Sequence, residues 1–258
     1  MTIESAKKIE ITEQEMKQYK ELGYIIFNNL FSAEEMDKVR AIIDEFDRES
    51  EMILRQKDRD FISSAGQINF TSGLNFRSPE LQQFTADQRF VDITTTILGP
   101  DIKLYWDQSV YKRPEASKDF PWHQDNGYVP TEPEQYVTCW IALDDATVEN
   151  GCIWVQPGTH LKGFVTHIKT DLGWICYYGD IEGIPVELKK GSVVAFNSLL
   201  FHKSTPNRSK TDTRKAYITQ YSVDGSFNPI TNKIFQNGPL IAKDGKSAYT
   251  EFVTKENC

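Results

Sequence analysis

The sequence lacks most of the features that would tie a chain to a membrane, to nucleic acid or to a disulfide scaffold. No apolar run approaches the ~18 residues that a membrane-spanning helix requires. There is no long block of Lys or Arg, and the formal net charge is −8, so nucleic acid and anionic membranes are poor partners. Cysteine is scarce: Cys139, Cys152, Cys176 and Cys258 are the only four, and none forms a C-x-x-C pair. They read as reduced thiols in a cytoplasmic protein. The start of the chain, Met1 to Lys8, has no apolar core of the kind a signal peptide needs. Internal repeats and low-complexity segments are missing too. What is present, 39% hydrophobic and 26% charged residues over 258 positions, suits a folded globular chain with the length of one β-rich enzyme domain.

Thr12-Glu13-Gln14-Glu15 reads as a capping box that starts a helix ending near Gly23. Tyr24 to Phe27 is a buried-strand candidate. A second capping box, Ser32 to Glu35, precedes Met36, Val39, Ile43 and Phe46 at helical spacing, which predicts an amphipathic helix from Ser32 to about Ser50. These helices are expected on the outside of a sheet. Residues 51–78 show no clean period and read as an irregular lid or binding loop. A further helix is expected from Asp87 to Leu98, stopped by Gly99-Pro100.

Beyond that point the chain reads as short strands. They are Ile102 to Lys112, Tyr136 to Leu143, Cys152 to Val155, Val186 to Leu188, Ser192 to Phe196, Leu199 to Lys203 and Lys215 to Val223. Turn signals such as Asn150-Gly151 and Pro157-Gly158 separate them. Short strands with turns every ~8–12 residues favour a sandwich or jelly roll over a parallel α/β fold. The expectation is a single domain over residues 1–258, mainly β with flanking helices. It has a helical part at 11–100, a jelly-roll core at about 101–223 and an irregular C-terminal tail.

The chemistry is concentrated in Trp122-His123-Gln124-Asp125. On a strand, residues i and i+2 share a face, so His123 and Asp125 project together. An imidazole beside a carboxylate is two thirds of a 2-His-1-carboxylate triad, which holds non-haem Fe(II) and leaves positions open. Three histidines could complete it. His160 lies in a turn, and His167 lies in a polar segment and reads as a loop or surface residue. His202 lies in a strand-like run and is followed twelve positions later by Arg214. Turn chemistry between them would return the chain antiparallel and let Arg214 face the same cavity. A buried guanidinium needs an anion, and its fork suits a carboxylate.

With these residues placed, the chain resembles the phytanoyl-CoA hydroxylase-like branch of the Fe(II)/2-oxoglutarate dioxygenases, from roughly Ile11 to Val223. The resemblance is carried by Trp122 to Asp125, Thr138 to Asp145, Glu149 to Cys152, Pro157 to His160, and His202-x-Ser204 with Arg214. It implies a double-stranded β-helix and iron held by His123, Asp125 and His202. It implies Arg214 on the distal carboxylate of 2-oxoglutarate, with hydrogen bonds from Ser204 and Thr138 and a wall from Trp140. Gln108 and Gln124 are further co-substrate candidates, although on a regular strand Gln124 would face away from His123.

The resemblance implies O₂-dependent oxidation of an unactivated C–H, with 2-oxoglutarate converted to succinate and CO₂. Halogenating relatives lack the carboxylate; Asp125 is present, so hydroxylation is expected. Desaturation, epoxidation and ring formation stay open. Phe70, Phe76, Tyr105, Gln108, Tyr128 and Trp174 are candidate substrate contacts. No basic cluster suits the phosphates of coenzyme A, so a small organic metabolite, in specialised metabolism or amino-acid modification, is the expected substrate. Two other readings remain: a cupin-like metalloenzyme that does not use 2-oxoglutarate, and a non-enzymatic jelly-roll binding module. Arg214 argues against the first and the ordered motif set against the second. Monomer and homo-oligomer are both open.

Overall fold

Helices begin where the sequence supplies caps. The computed structural model describes residues 8–57, 59–114, 116–179 and 182–256; Cys258 and the chain start at residues 1–7 lie outside them. The Glu15 N–H donates to the Thr12 hydroxyl (3.2 Å) while the Thr12 N–H donates to the Glu15 carboxylate (2.8 Å). α1 (Glu13–Leu22) follows, and ends at Gly23 with φ of +88°. Ser32 and Glu35 repeat the reciprocal pattern and open α2 (Ala33–Lys57). α2 does not stop near Ser50. Its extra turns are held by tertiary contacts: Leu54 is buried, and the Glu51 carboxylate accepts from the Gly66 N–H (2.9 Å). α3 (Pro79–Thr85), not expected from the sequence, is capped by Ser78 and has Pro79 in its first turn. α4 (Gln88–Leu98) is capped by Asp87 and ends at Gly99, as expected.

The strands used below are β1 (Tyr24–Phe27), β2 (Ile68–Ser72), β3 (Ile102–Lys112), β4 (Phe120–His123), β5 (Val137–Ala142) and β6 (Ile153–Val155). β7 (Ile184–Val186), β8 (Val193–Asn197), β9 (His202–Ser204), β10 (Arg214–Val223) and β11 (Leu240–Lys243) complete them. They form two antiparallel sheets that face each other as a jelly roll. The larger runs β1-β8-β5-β10-β3-β2, with a short hairpin at residues 59–64 beyond β2 and β11 beside the start of β3. The smaller runs β7-β6-β9-β4.

Two-residue alternation sorts the side chains. On β5, Val137, Cys139 and Ile141 join the core under the helices, while Trp140 and Ala142 join the core between the sheets. β10 does the same, with Tyr217 and Tyr221 under the helices and Ala216 between the sheets. The helices therefore sit outside the larger sheet, and the interior of the roll is left for a cavity.

Three further expectations needed correction. The stretch 51–78 is not wholly irregular: Ile68 to Ser72 pair with Lys112 to Gln108. Its alternation is masked because the helix-facing side chains are polar, Asn69 donating to Asp47 (2.9 Å) and accepting from Ser50 (3.2 Å). The tail is not structureless either, since β11 pairs with Ile102 and Lys103 and buries Ile241 and Ala242. Finally, Leu199 and Leu200 belong to a turn, and the strand expected there begins at His202.

Asp107 secures the chain where β3 meets the 3₁₀ turn Leu74–Phe76. Its carboxylate accepts from the Asn75 N–H (2.8 Å), the Asn75 side-chain amide (2.5 Å) and the Tyr217 hydroxyl (2.8 Å). Burial pushes its pKa up, against those donors. Asp107→Ala would leave three buried donors without an acceptor, at a cost of about 3 kcal/mol or more. We expect the melting temperature to fall by roughly 6–12 °C in a thermal unfolding scan; an unchanged midpoint would show the staple to be dispensable.

Candidate active site

The site begins with a strand register. β9 and β4 run antiparallel with His202 directly opposite His123, which brings the ring centroids to 4.0 Å. Each Nδ1 bonds the carbonyl two residues earlier, Pro121 at 2.8 Å for His123 and Leu200 at 3.0 Å for His202. A carbonyl can only accept, so Nδ1 carries the hydrogen and the Nε2 lone pairs are free. They point at Asp125, the first residue of a 3₁₀ turn after β4. Asp125 Oδ1 lies 3.4 Å from His202 Nε2 and 3.9 Å from His123 Nε2. One ligand atom from each of the three residues falls within 4.8 Å of the others.

The electrostatics suit a divalent cation. Burial, then the neighbouring His202, lowers the His123 pKa to about 3, so the imidazole is neutral at pH 7. Burial works to raise the Asp125 pKa, but the imidazoles of His202 and His123 and the Thr138 hydroxyl outweigh it and hold the carboxyl below its usual range. Two nitrogen lone pairs and one carboxylate oxygen on one side of a cavity match the donor set of a non-haem iron site with open positions.

Behind the motif the backbone is clamped. The Gln124 N–H donates to His167 Nε2 (2.9 Å), whose Nδ1 bonds the Val165 carbonyl (2.7 Å). Gly127 lies flat on that ring: a Cβ there would sit 2.4 Å from it. His167 is thus buried against the His123 to Asp125 segment, not a surface residue. His160 is remote from the site, its Nε2 3.1 Å from the Lys20 carbonyl.

A cavity of about 1030 Å³ opens over the three side chains. Of the residues expected there, Arg214, Ser204, Trp140, Gln108, Phe70, Tyr105, Tyr128 and Trp174 all line it. Three do not. The Gln124 side chain points the other way, donating to Gly163 O and Leu199 O and accepting from the Val165 N–H; strand alternation prevails over its place in the motif. Thr138 is beside the metal-facing group, and its single hydroxyl proton goes to Asp125 Oδ2 (2.5 Å). Phe76 sits in the 3₁₀ turn Leu74–Phe76, off the cavity wall.

Arg214 is fully buried at the start of β10. It donates to the Gly151 and Val110 carbonyls, both at 3.2 Å, and lies 5.3 Å from the Trp140 ring centre. It has no carboxylate partner among the described residues. Burial lowers its pKa to about 10, so it keeps its charge at pH 7. Lys112 stands directly across the sheet from it. The Lys112 ammonium donates to Ser204 Oγ (2.9 Å) and the Thr205 carbonyl (2.6 Å). Burial, then the Arg214 charge, pushes its pKa well down.

Lys112 and Gln220, whose amide donates to Asp125 Oδ2 (2.9 Å), were not anticipated from the sequence. Both left a signal there. Lys112 is a lysine that ends a strand whose preceding residues, Ser109-Val110-Tyr111, are uncharged, and Gln220 shares the even-numbered face of β10 with Arg214.

This site can be compared with known proteins. The Phytanoyl-CoA dioxygenase (PhyH) family matches residues 19–216. A Dictyostelium discoideum protein named phytanoyl-CoA dioxygenase domain-containing protein 1 homolog is 26% identical, over 83% of this chain and 92% of its own. Among solved structures, the non-heme alpha ketoglutarate dependent carbocyclase SnoK from nogalamycin biosynthesis superposes with a TM-score of 0.69 at 21% identity, covering 87% of this chain and 88% of that one. EvdO2 from Micromonospora carbonacea var. aurantiaca, complexed with 2-oxoglutarate, gives a TM-score of 0.67 at 20% identity, covering 87% and 95%. The family match spans most of the chain, including His123, Asp125, His202 and Arg214, and the chain belongs to the phytanoyl-CoA dioxygenase (PhyH) family.

Proposed function

We propose that the protein is a non-haem Fe(II)/2-oxoglutarate-dependent oxygenase that oxidises an unactivated C–H of a small organic metabolite, with hydroxylation the expected outcome. The carrying observation is that a His-Asp-His donor set and a buried guanidinium with no carboxylate partner among the described residues line one cavity. Bound there, iron together with 2-oxoglutarate and O₂ supplies the oxidising chemistry, with succinate and CO₂ as the co-products.

The chain's own groups divide the remaining work. His123, Asp125 and His202 hold the metal through three donors and leave positions for co-substrate and O₂. Arg214 supplies a donor-only fork for the distal carboxylate of 2-oxoglutarate. As an ammonium, Lys112 can only donate, which makes Ser204 Oγ an acceptor and turns the Ser204 hydroxyl proton toward the cavity. Trp140 walls the co-substrate side. Phe70, Tyr105, Tyr128 and Trp174 line the cavity above the metal, where aromatic faces hold an apolar ring or chain and exclude water. Among the described residues, the charged lining side chains apart from the metal-facing residues and Arg214 are Asp60 and Lys203. One lysine is a poor match for the phosphates of a coenzyme A thioester, which supports a smaller or neutral substrate.

The first test is turnover. We expect 2-oxoglutarate-dependent succinate release that requires Fe(II) and ceases with a chelator; turnover that is indifferent to 2-oxoglutarate would favour a cupin-like enzyme instead. The second concerns the anchor. Arg214→Ala removes charge-assisted bonds of about 1.5–3 kcal/mol each, so the dissociation constant of 2-oxoglutarate should rise roughly 100-fold while metal affinity holds. Arg214→Lys should fall between, because it keeps the charge and loses the fork. Lys112→Met should weaken 2-oxoglutarate about tenfold through Ser204, and should add little in a Ser204→Ala background. Unchanged co-substrate affinity in Arg214→Ala would mean that the anchor lies elsewhere.

A further inference from the structure

Asp125 offers two oxygens, and the structure treats them differently. Oδ2 accepts from the Thr138 hydroxyl at 2.5 Å and from Gln220 Nε2 at 2.9 Å. Gln220 Nε2 also donates to Thr138 Oγ1 at 3.2 Å. The protons account for themselves: the amide has two, one for the carboxylate and one for the hydroxyl oxygen, and the hydroxyl has one, for the carboxylate. Reversing the amide would set its oxygen against an ionised carboxylate, so this orientation is chemically fixed. Oδ1 is left facing the two Nε2 atoms, at 3.4 and 3.9 Å.

We propose that Gln220 is a positioning residue: with Thr138 it occupies Oδ2 and restricts Asp125 to one-oxygen coordination of the metal. This rests on the proposed metal centre and deepens it. A carboxylate free to rotate could offer both oxygens and fill a position that co-substrate or O₂ needs. Two donors on one oxygen hold the plane of the carboxylate and bias the other oxygen toward the ion. The residues come from neighbouring strands in register, Gln220 on β10 opposite Thr138 on β5, so the clamp is set by the larger sheet while both imidazoles come from the smaller one. β10 then serves both ends of the cavity, with Arg214 at one and Gln220 at the other.

Cobalt(II) added to the apo-protein without oxygen provides the test, because its visible d–d bands weaken as coordination number rises. The variants are Gln220→Leu, which removes both donors, and Gln220→Glu, which keeps the shape and replaces the donor by a second acid. Thr138→Val and Thr138→Ser are companions, the serine retaining the hydroxyl. We expect Gln220→Leu and Thr138→Val each to lose about tenfold or more in Co(II) affinity and to show weaker bands, with the double variant losing less than the product of the two. Gln220→Glu should behave like Gln220→Leu, and Thr138→Ser like the wild type. Wild-type affinity and spectrum in both Gln220 variants would overturn the proposal, and a change seen only in substrate-dependent succinate release would overturn it in favour of a substrate contact. Failure of the wild-type protein itself to bind Co(II) would be a separate result, removing the metal centre and the clamp together.

Discussion

The site depends on one strand pairing, β9 against β4 with His202 opposite His123. Side chains alternate between faces, so a slip of one residue would turn His202 out of the cavity and leave two donors where three are needed. β9 has only three residues, too few to hold a register alone. It is pinned from both sides: β6 pairs along its other edge, with Val155 also opposite His202. The turn before it is tied down as well, since the Phe201 N–H donates to the Thr159 hydroxyl (2.9 Å) and Gln124 donates to the Leu199 carbonyl (2.8 Å). His167 and Gly127 close the back of the β4 side. The donor geometry is thus a product of the packing around it.

Charge is divided along the cavity, negative at one end and positive at the other. At one end a neutral His123 and an ionised Asp125 leave a net negative, lone-pair-rich corner that calls for a cation. At the other, Arg214 lines the cavity with no carboxylate partner among the described residues, and Lys112, paired with it on the neighbouring strand, lies behind Ser204. Burying such charges is costly, as their lowered pKa values show. A metal at the first end and a dicarboxylate reaching from it to the second would relieve both costs.

Much of this was legible in the sequence because it rests on local rules. Capping residues marked the starts of α1 and α2 and period-two alternation marked the long strands; the two-residue spacing of His123 and Asp125 did bring them together, although Asp125 lies in the 3₁₀ turn after β4 and not on the strand. Alternation also warned that Gln124 would point away, and it does. What the sequence hid was set by tertiary contact. β2 buries polar Asn69 toward a helix, so its period looked irregular. β11 is held by the edge of β3 on one side and by residues 246–247 on the other. Thr138 and Gln220 meet Asp125 across strands 82 positions apart, and Lys112 reaches Ser204 across 92. No spacing rule covers such distances, although the shared face of Arg214 and Gln220 on β10 was a usable clue.

The most direct measurement is the visible spectrum of the apo-protein given Fe(II) and 2-oxoglutarate without oxygen. We expect a metal-to-ligand charge-transfer band that requires both additions and is absent from Asp125→Ala and His202→Ala. Iron that binds without producing the band would contradict chelation of 2-oxoglutarate at this centre, and a protein that binds no iron at all would contradict the centre itself.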